Sequence, residues 1–84
     1  MNNKHRKTIK LIFSTTIQTG INWTDVESLF VHLGASFREG KGSRLKVCLN
    51  GRFSVFHRPH PQKEISRGMV KAIKKFIEES GVLS

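Results

Sequence analysis

The sequence has few of the features that cross-link a small chain or anchor it in a membrane. Among its 84 residues the one cysteine, Cys48, cannot form a disulfide within the chain, and the Cys and His spacing matches no zinc pattern. No apolar run is long enough to cross a bilayer, and the N-terminus lacks an apolar signal segment. We therefore expect one small cytoplasmic domain held by a hydrophobic core, with no metal and no cofactor.

Acidic residues are also scarce. Six Asp and Glu stand against 15 Lys and Arg, which gives a formal charge of +9. The imbalance is greatest from Arg38 to Lys63, where seven cations accompany one acid, Glu39. A surface of this sign attracts nucleic acid or an acidic protein more readily than a membrane. The alternative is a basic surface that binds no ligand.

Apolar stripes and cap residues predict the helices. A short helix is expected over His5–Phe13, followed by a linker. Asn22 is typical of an N-cap, with Asp25 able to reach back to it, and the helix that it begins is predicted over Trp23–Leu33. A last helix is predicted over Ser66–Ser80.

Strands are predicted between the two longer helices. The segment RLKVCL alternates, with Leu45, Val47 and Leu49 on one face, and Asn50–Gly51 is a strong hairpin signal before RFSVF. A two-residue loop would pair Leu49 with Arg52 and would set Arg44 opposite His57.

A loop one residue longer, with a bulge at Gly51, would instead pair Leu49 with Phe53 and Val47 with Val55. We favour this longer loop because it buries both apolar sets together. The exposed face of the hairpin would then carry a mixed set of residues: Arg44, Lys46, Ser54, Phe56 and Arg58.

The order of elements defines the fold class. We predict an α+β fold, a three-stranded antiparallel sheet with two helices on one face and a short N-terminal helix in addition. This α-β-β-β-α order is that of the double-stranded-RNA-binding domain. Residues 1–21 would form the N-terminal helix and linker, and residues 22–84 the domain.

The stretch GSRLKVCLNGRFSVFHRPHPQKEI resembles the HicA toxins of bacterial type II toxin–antitoxin modules. That family has Gly-Ser-His at the start of the second strand and a later Arg-His-Pro segment, to which Gly42–Ser43 and His60–Pro61 correspond. The resemblance covers about Trp23 to Val82. It implies the same fold, cleavage of mRNA without a metal, and inhibition by an acidic HicB-like antitoxin.

The chain departs from the family at Arg44, which takes the place of the histidine that HicA toxins are thought to use. Cleavage needs a base for the RNA 2′-OH, which histidine can supply and the permanently charged arginine cannot. His57 is the first candidate base and His60 the second, with Arg44 stabilising charge on the phosphorus.

Five residues are candidate RNA contacts: Lys41, Arg44, Lys46, Arg58 and, by stacking on a base, Phe56. Three functions remain open for the chain. It is a toxin that cleaves RNA, a module of the same fold that binds RNA without cutting it, or a basic domain that binds an acidic protein.

Overall fold

The computed structural model describes residues 2–60 and 62–83, so Pro61 of the His60–Pro61 pair lies outside the described residues. The elements of this part of the chain, in order, are α1 (Asn3–Ile12), α2 (Trp23–His32), β1 (Ser36–Glu39), β2 (Arg44–Leu49), β3 (Arg52–His57) and α3 (Arg67–Ser80). The predicted helices are confirmed to within two residues at each end.

The three strands form one antiparallel sheet in the order β1-β2-β3. The inward side chains of β2, Leu45, Val47 and Leu49, are buried against α2 and α3. The opposite face carries exposed side chains, among them Arg44, Phe53 and His57, and is uncovered in the part of the chain that the structure describes. The predicted α+β fold, with α2 and α3 on one face of the sheet, is therefore confirmed, although α1 is as long as α2 at 10 residues each.

The hairpin between β2 and β3 has the shorter of the two predicted loops. Asn50 and Gly51 both have positive φ angles, 50° and 82°, as a two-residue turn of the type I′ class requires. Leu49 pairs with Arg52 and Lys46 with Val55, so the favoured longer loop is wrong.

The register of the hairpin determines which phenylalanine of β3 is buried. In this register Phe56 lies opposite Leu45 on the core face and is 4% exposed. Its ring centroid lies 6.0 Å from that of Phe30 and 5.7 Å from that of Phe76. The adopted register thus buries Phe56 in an aromatic cluster and leaves Phe53 and Val55 exposed on the other face, in agreement with the turn conformation of Asn50 and Gly51.

The caps agree with the sequence at α3 but not at α2. Ser66, the first residue of the predicted helix, accepts a hydrogen bond from the Met69 amide, and Gly81 ends α3 in the left-handed conformation that favours glycine. The Asn22 side chain makes no capping hydrogen bond. Asp25 does not reach back, because its carboxylate pairs with Lys4 of α1 at 3.1 Å.

Helix α1 packs onto α2 and α3 and contributes His5, Thr8 and Ile12 to the buried interior. Its segment therefore shares the core of the domain that follows it. The boundary proposed after residue 21 stays a prediction.

Candidate functional site

Arg44 and His57 lie directly opposite each other at one end of the uncovered sheet face. Arg44 is the first residue of β2 and His57 the last of β3, and both are exposed. Directly opposed side chains on adjacent antiparallel strands share a face, with their Cβ atoms about 5 Å apart. The register that was not favoured from sequence thus brings together the two leading candidates for RNA cleavage.

A shallow concavity of about 330 Å³ lies beside Arg44. Two further predicted RNA contacts, Lys41 and Lys46, line it together with Arg44. It also includes Arg38, which sequence reasoning missed. Arg38 pairs with Lys46 across β1 and β2, so it shares their face, and an inward Phe37 in a strand was the signal that Arg38 points outward.

Arg58, another predicted RNA contact, is already engaged by two carboxylates. Its guanidinium donates to both oxygens of Glu39, at 2.6 and 2.8 Å, and to Glu27 of α2 at 2.8 Å. These hydrogen bonds lower the pKa of the Glu39 carboxyl and raise the pKa of Arg58. Arg58 therefore lies on the helix side of the sheet, not on the uncovered face as predicted.

The ion pair between Arg58 and Glu39 also changes the charge of the concavity. Glu39 is the one acidic residue among its lining residues, and its charge is compensated by Arg58. No unpaired carboxylate therefore lies among the described lining residues to neutralise the cations of the concavity. They can therefore meet an anionic ligand without first breaking an internal ion pair.

Gly40 allows the start of β2 to come close to the end of β1. Its amide donates to the Arg44 carbonyl at 2.9 Å. A Cβ at position 40 would stand 3.3 Å from the Cβ of Arg44, closer than usual packing allows. Gly40 thus permits the close approach of the two strands at the first residue of β2, Arg44.

Two other predicted site residues are placed elsewhere. His60 lines a separate depression of about 390 Å³ near the start of α3, away from the lining of the Arg44 concavity. Phe56 is buried in the core, so the expectation that it is exposed and stacks on a base is wrong. The exposed ring on the uncovered face is Phe53, which was assigned to the core face in the favoured register.

The described part of the chain has neither a cluster of metal ligands nor a helix that could span a membrane. Within residues 2–60 and 62–83, no group of three or more His, Cys, Asp or Glu side chains is placed to hold a metal ion. No helix in these residues has the length and apolar character needed to cross a membrane.

Comparison with known proteins agrees with the resemblance noted in the sequence. A family model described as the HicA toxin of bacterial toxin–antitoxin systems matches residues 23–82. The probable mRNA interferase HicA of Pseudomonas fluorescens (strain Pf0-1) is 48% identical over 42 residues, which is 50% of this chain and 68% of that protein. No solved structure matches significantly.

Proposed function

The chain belongs to the HicA toxin family, and from this we propose that it cleaves mRNA without a metal ion, at the Arg44–His57 pair. The observation that carries the proposal is the placement of an exposed histidine directly opposite an arginine, beside a concavity lined by cations. The similarity to a probable mRNA interferase supports mRNA as the substrate.

The proposed reaction uses the RNA as its own nucleophile. The 2′-oxygen attacks the adjacent phosphorus and forms a P–O2′ bond, while the P–O5′ bond breaks. His57 takes the proton from the 2′-OH, and the resulting imidazolium returns a proton to the departing 5′-oxygen. The products are a 2′,3′-cyclic phosphate and a 5′-hydroxyl, and no oxidant or further reactant is needed.

Arg44 supports this step without exchanging a proton. Its guanidinium stays charged, so it cannot replace the histidine that the family has at this position. Its planar fork can donate to two phosphate oxygens at once as they gain negative charge. The proposed base, His57, thus lies at the end of β3, whereas the family's histidine would lie at the start of β2. The two positions are opposite each other, so the site is at the same end of the sheet in both cases.

The partner proposed for this toxin is an acidic, HicB-like antitoxin. The net charge of +9 and the unopposed cations of the uncovered face favour an acidic protein as the inhibitor. A cytoplasmic setting, where both mRNA and antitoxin are found, belongs to the same proposal.

Cleavage assays with purified protein test the proposal directly. We expect the parent to cut RNA in the presence of EDTA. His57→Ala should lower the rate by about 10²–10⁴, the usual contribution of a general base, while RNA affinity is retained. His60→Ala is the matched control and should cut at the parental rate. Cleavage by His57→Ala at the parental rate, or loss of parental activity in EDTA, would contradict the proposal.

A module that binds RNA without cutting it is the second candidate, and Arg44 is the observation that favours it. If this candidate is correct, the parent binds RNA in a salt-dependent manner and leaves it intact. Binding that does not respond to salt would instead favour the basic protein-binding domain.

A further inference from the structure

The uncovered sheet face carries an aromatic ring that the proposed chemistry does not use. Phe53 is 64% exposed, although phenylalanine is among the residues most often buried. Val55, two residues along β3 on the same face, is 48% exposed. The two side chains form an apolar strip down β3 that leads from the hairpin turn towards His57.

Cations accompany this strip. The Nζ atom of Lys46 lies 4.2 Å from the centroid of the Phe53 ring, within the range of a cation–π contact. Arg44 and Lys46 both share the face of Phe53, because the strand register places them opposite His57 and Val55. An aromatic ring with ammonium and guanidinium groups around it matches a ligand that has both a flat π-system and negative charge.

We propose that Phe53 is a stacking platform for an unpaired base of the RNA, and hence that the substrate is taken as a single strand. This inference rests on the proposed function. Bases in single-stranded RNA can be splayed out and stacked on aromatic side chains, whereas those of a duplex are stacked on one another. Lys46 then contacts a phosphate close to the stacked base.

The geometry of β3 connects the platform to the site of cleavage. Phe53 and His57 are four residues apart in one strand and on one face, which places them about 13 Å apart along the strand. The base on Phe53 therefore belongs to a nucleotide close to, but not at, the cleaved bond. Stacking there would align the chain so that the reacting phosphate lies between Arg44 and His57.

An affinity measurement with short RNA oligonucleotides tests the stacking. The His57→Ala protein is used as the parent so that the RNA stays intact. Phe53→Ala in this background should lower the affinity for a single strand about tenfold, equivalent to roughly 1.4 kcal/mol. Phe53→Leu keeps an apolar side chain without a π-face and should lose nearly as much. Phe53→Trp should bind at least as tightly as the parent.

Two controls separate stacking from other effects of the substitution. Val31→Ala removes an exposed apolar side chain from α2, in the helix layer and away from the uncovered sheet face, and should leave the affinity within about twofold of the parent. A second control uses a series of oligonucleotides, each with an abasic site at a different position. At one position the missing base should weaken binding to the parent, whereas binding to Phe53→Ala should be the same with or without that base.

The outcomes distinguish this inference from the function on which it rests. Equal single-strand affinity for parent and Phe53→Ala, with binding still salt-dependent, overturns the platform and leaves RNA cleavage standing. If the wild-type protein cuts no RNA but its RNA affinity depends on Phe53, the proposed cleavage is wrong and the platform is supported. If Phe53→Leu binds a single strand as tightly as the parent while Phe53→Ala does not, the side chain acts by apolar contact without stacking and the platform is wrong.

Discussion

Arg58, the residue directly after β3, binds both carboxylate oxygens of Glu39 in β1 and, with one of the same nitrogens, the carboxylate of Glu27 in α2. One guanidinium thereby ties the first and last strands of the sheet to a helix of the opposite layer. The contact lies next to the Arg44–His57 pair, because Arg58 directly follows His57. The position of the proposed base thus depends in part on this ion-pair cluster.

Substitution of this cluster should make stability depend on pH in a defined direction. Hydrogen bonding to Arg58 lowers the pKa of Glu39 in the folded chain, so its contribution is present above the ordinary glutamate pKa and is lost as pH falls through the lowered value. Glu39→Gln should therefore be less stable than the parent at pH 7, with the difference closing below about pH 4. Urea unfolding at several pH values measures it.

Glu79→Gln, on the exposed side of α3, is the matched control for that series and should follow the parental pH profile. Arg58→Gln should be destabilised more than Glu39→Gln at pH 7, because it leaves two carboxylates without their donor. A difference between parent and Glu39→Gln that stays constant from pH 7 to pH 3 would show that the ion pair does not contribute.

Variants of Arg44 should separate cleavage from binding. Arg44→Lys keeps the charge but replaces a two-pronged donor by a point charge, so the cleavage rate should fall about tenfold while RNA affinity changes by less than about twofold. Arg44→His restores the residue that HicA toxins are thought to use and should raise the rate. Single-turnover cleavage and equilibrium binding on the same RNA measure both effects.

Arg38→Lys is the control for Arg44→Lys, since Arg38 shares the face but does not lie opposite His57. It should change rate and affinity by similar small factors. If Arg44→Lys behaves in the same way, the guanidinium of Arg44 does not stabilise the transition state.

The salt dependence of RNA binding should identify the contacting cations. Each phosphate contact to single-stranded RNA contributes about 0.7 to the slope of log affinity against log salt concentration. Lys41→Gln, Lys46→Gln and Arg38→Gln should each reduce the slope by about that amount. Lys75→Gln, on the solvent side of α3, should leave it unchanged. Equal slopes for all four variants would mean that RNA does not bind at the concavity.

The conformation of the hairpin turn can be tested through Asn50. Its Nδ2 atom donates to the Ser80 carbonyl at 2.5 Å, and its φ angle is 50°. Asn50→Ala loses the hydrogen bond and puts alanine in the left-handed region, which should cost about 2 kcal/mol in unfolding free energy. Asn50→Gly removes the conformational penalty and should cost about 1 kcal/mol. Equal losses in urea unfolding would show that the turn conformation is not limiting.

Local signals in the chain were sufficient for the secondary structure and the fold class. The alternation of Leu45, Val47 and Leu49, the Asn50–Gly51 turn and the Ser66 cap each act over a few residues, so their effect can be read without the rest of the molecule. The Gly42–Ser43 pair and its position before the hairpin likewise pointed to the family. None of these signals depends on which residues meet across the core.

The features that the sequence left open or gave wrongly depend on residues far apart in the chain. Lys4 takes the carboxylate of Asp25, and Arg58 takes those of Glu27 and Glu39, because folding brings these charges together. Each such pairing removed a residue from a role that its local surroundings suggested, Asp25 from the cap and Arg58 from the RNA-binding set.

The hairpin register shows the same division most clearly. Along β3 alone, Phe53 and Phe56 were both plausible core residues, and period-two alternation cannot bury both. The space between Phe30 of α2 and Phe76 of α3 accepts the ring of Phe56, and this leaves Phe53 exposed and His57 opposite Arg44. Which of the two rings is buried, and therefore which residues form the site, shows only in contacts with helices far away in the chain, which period-two alternation along β3 cannot reveal.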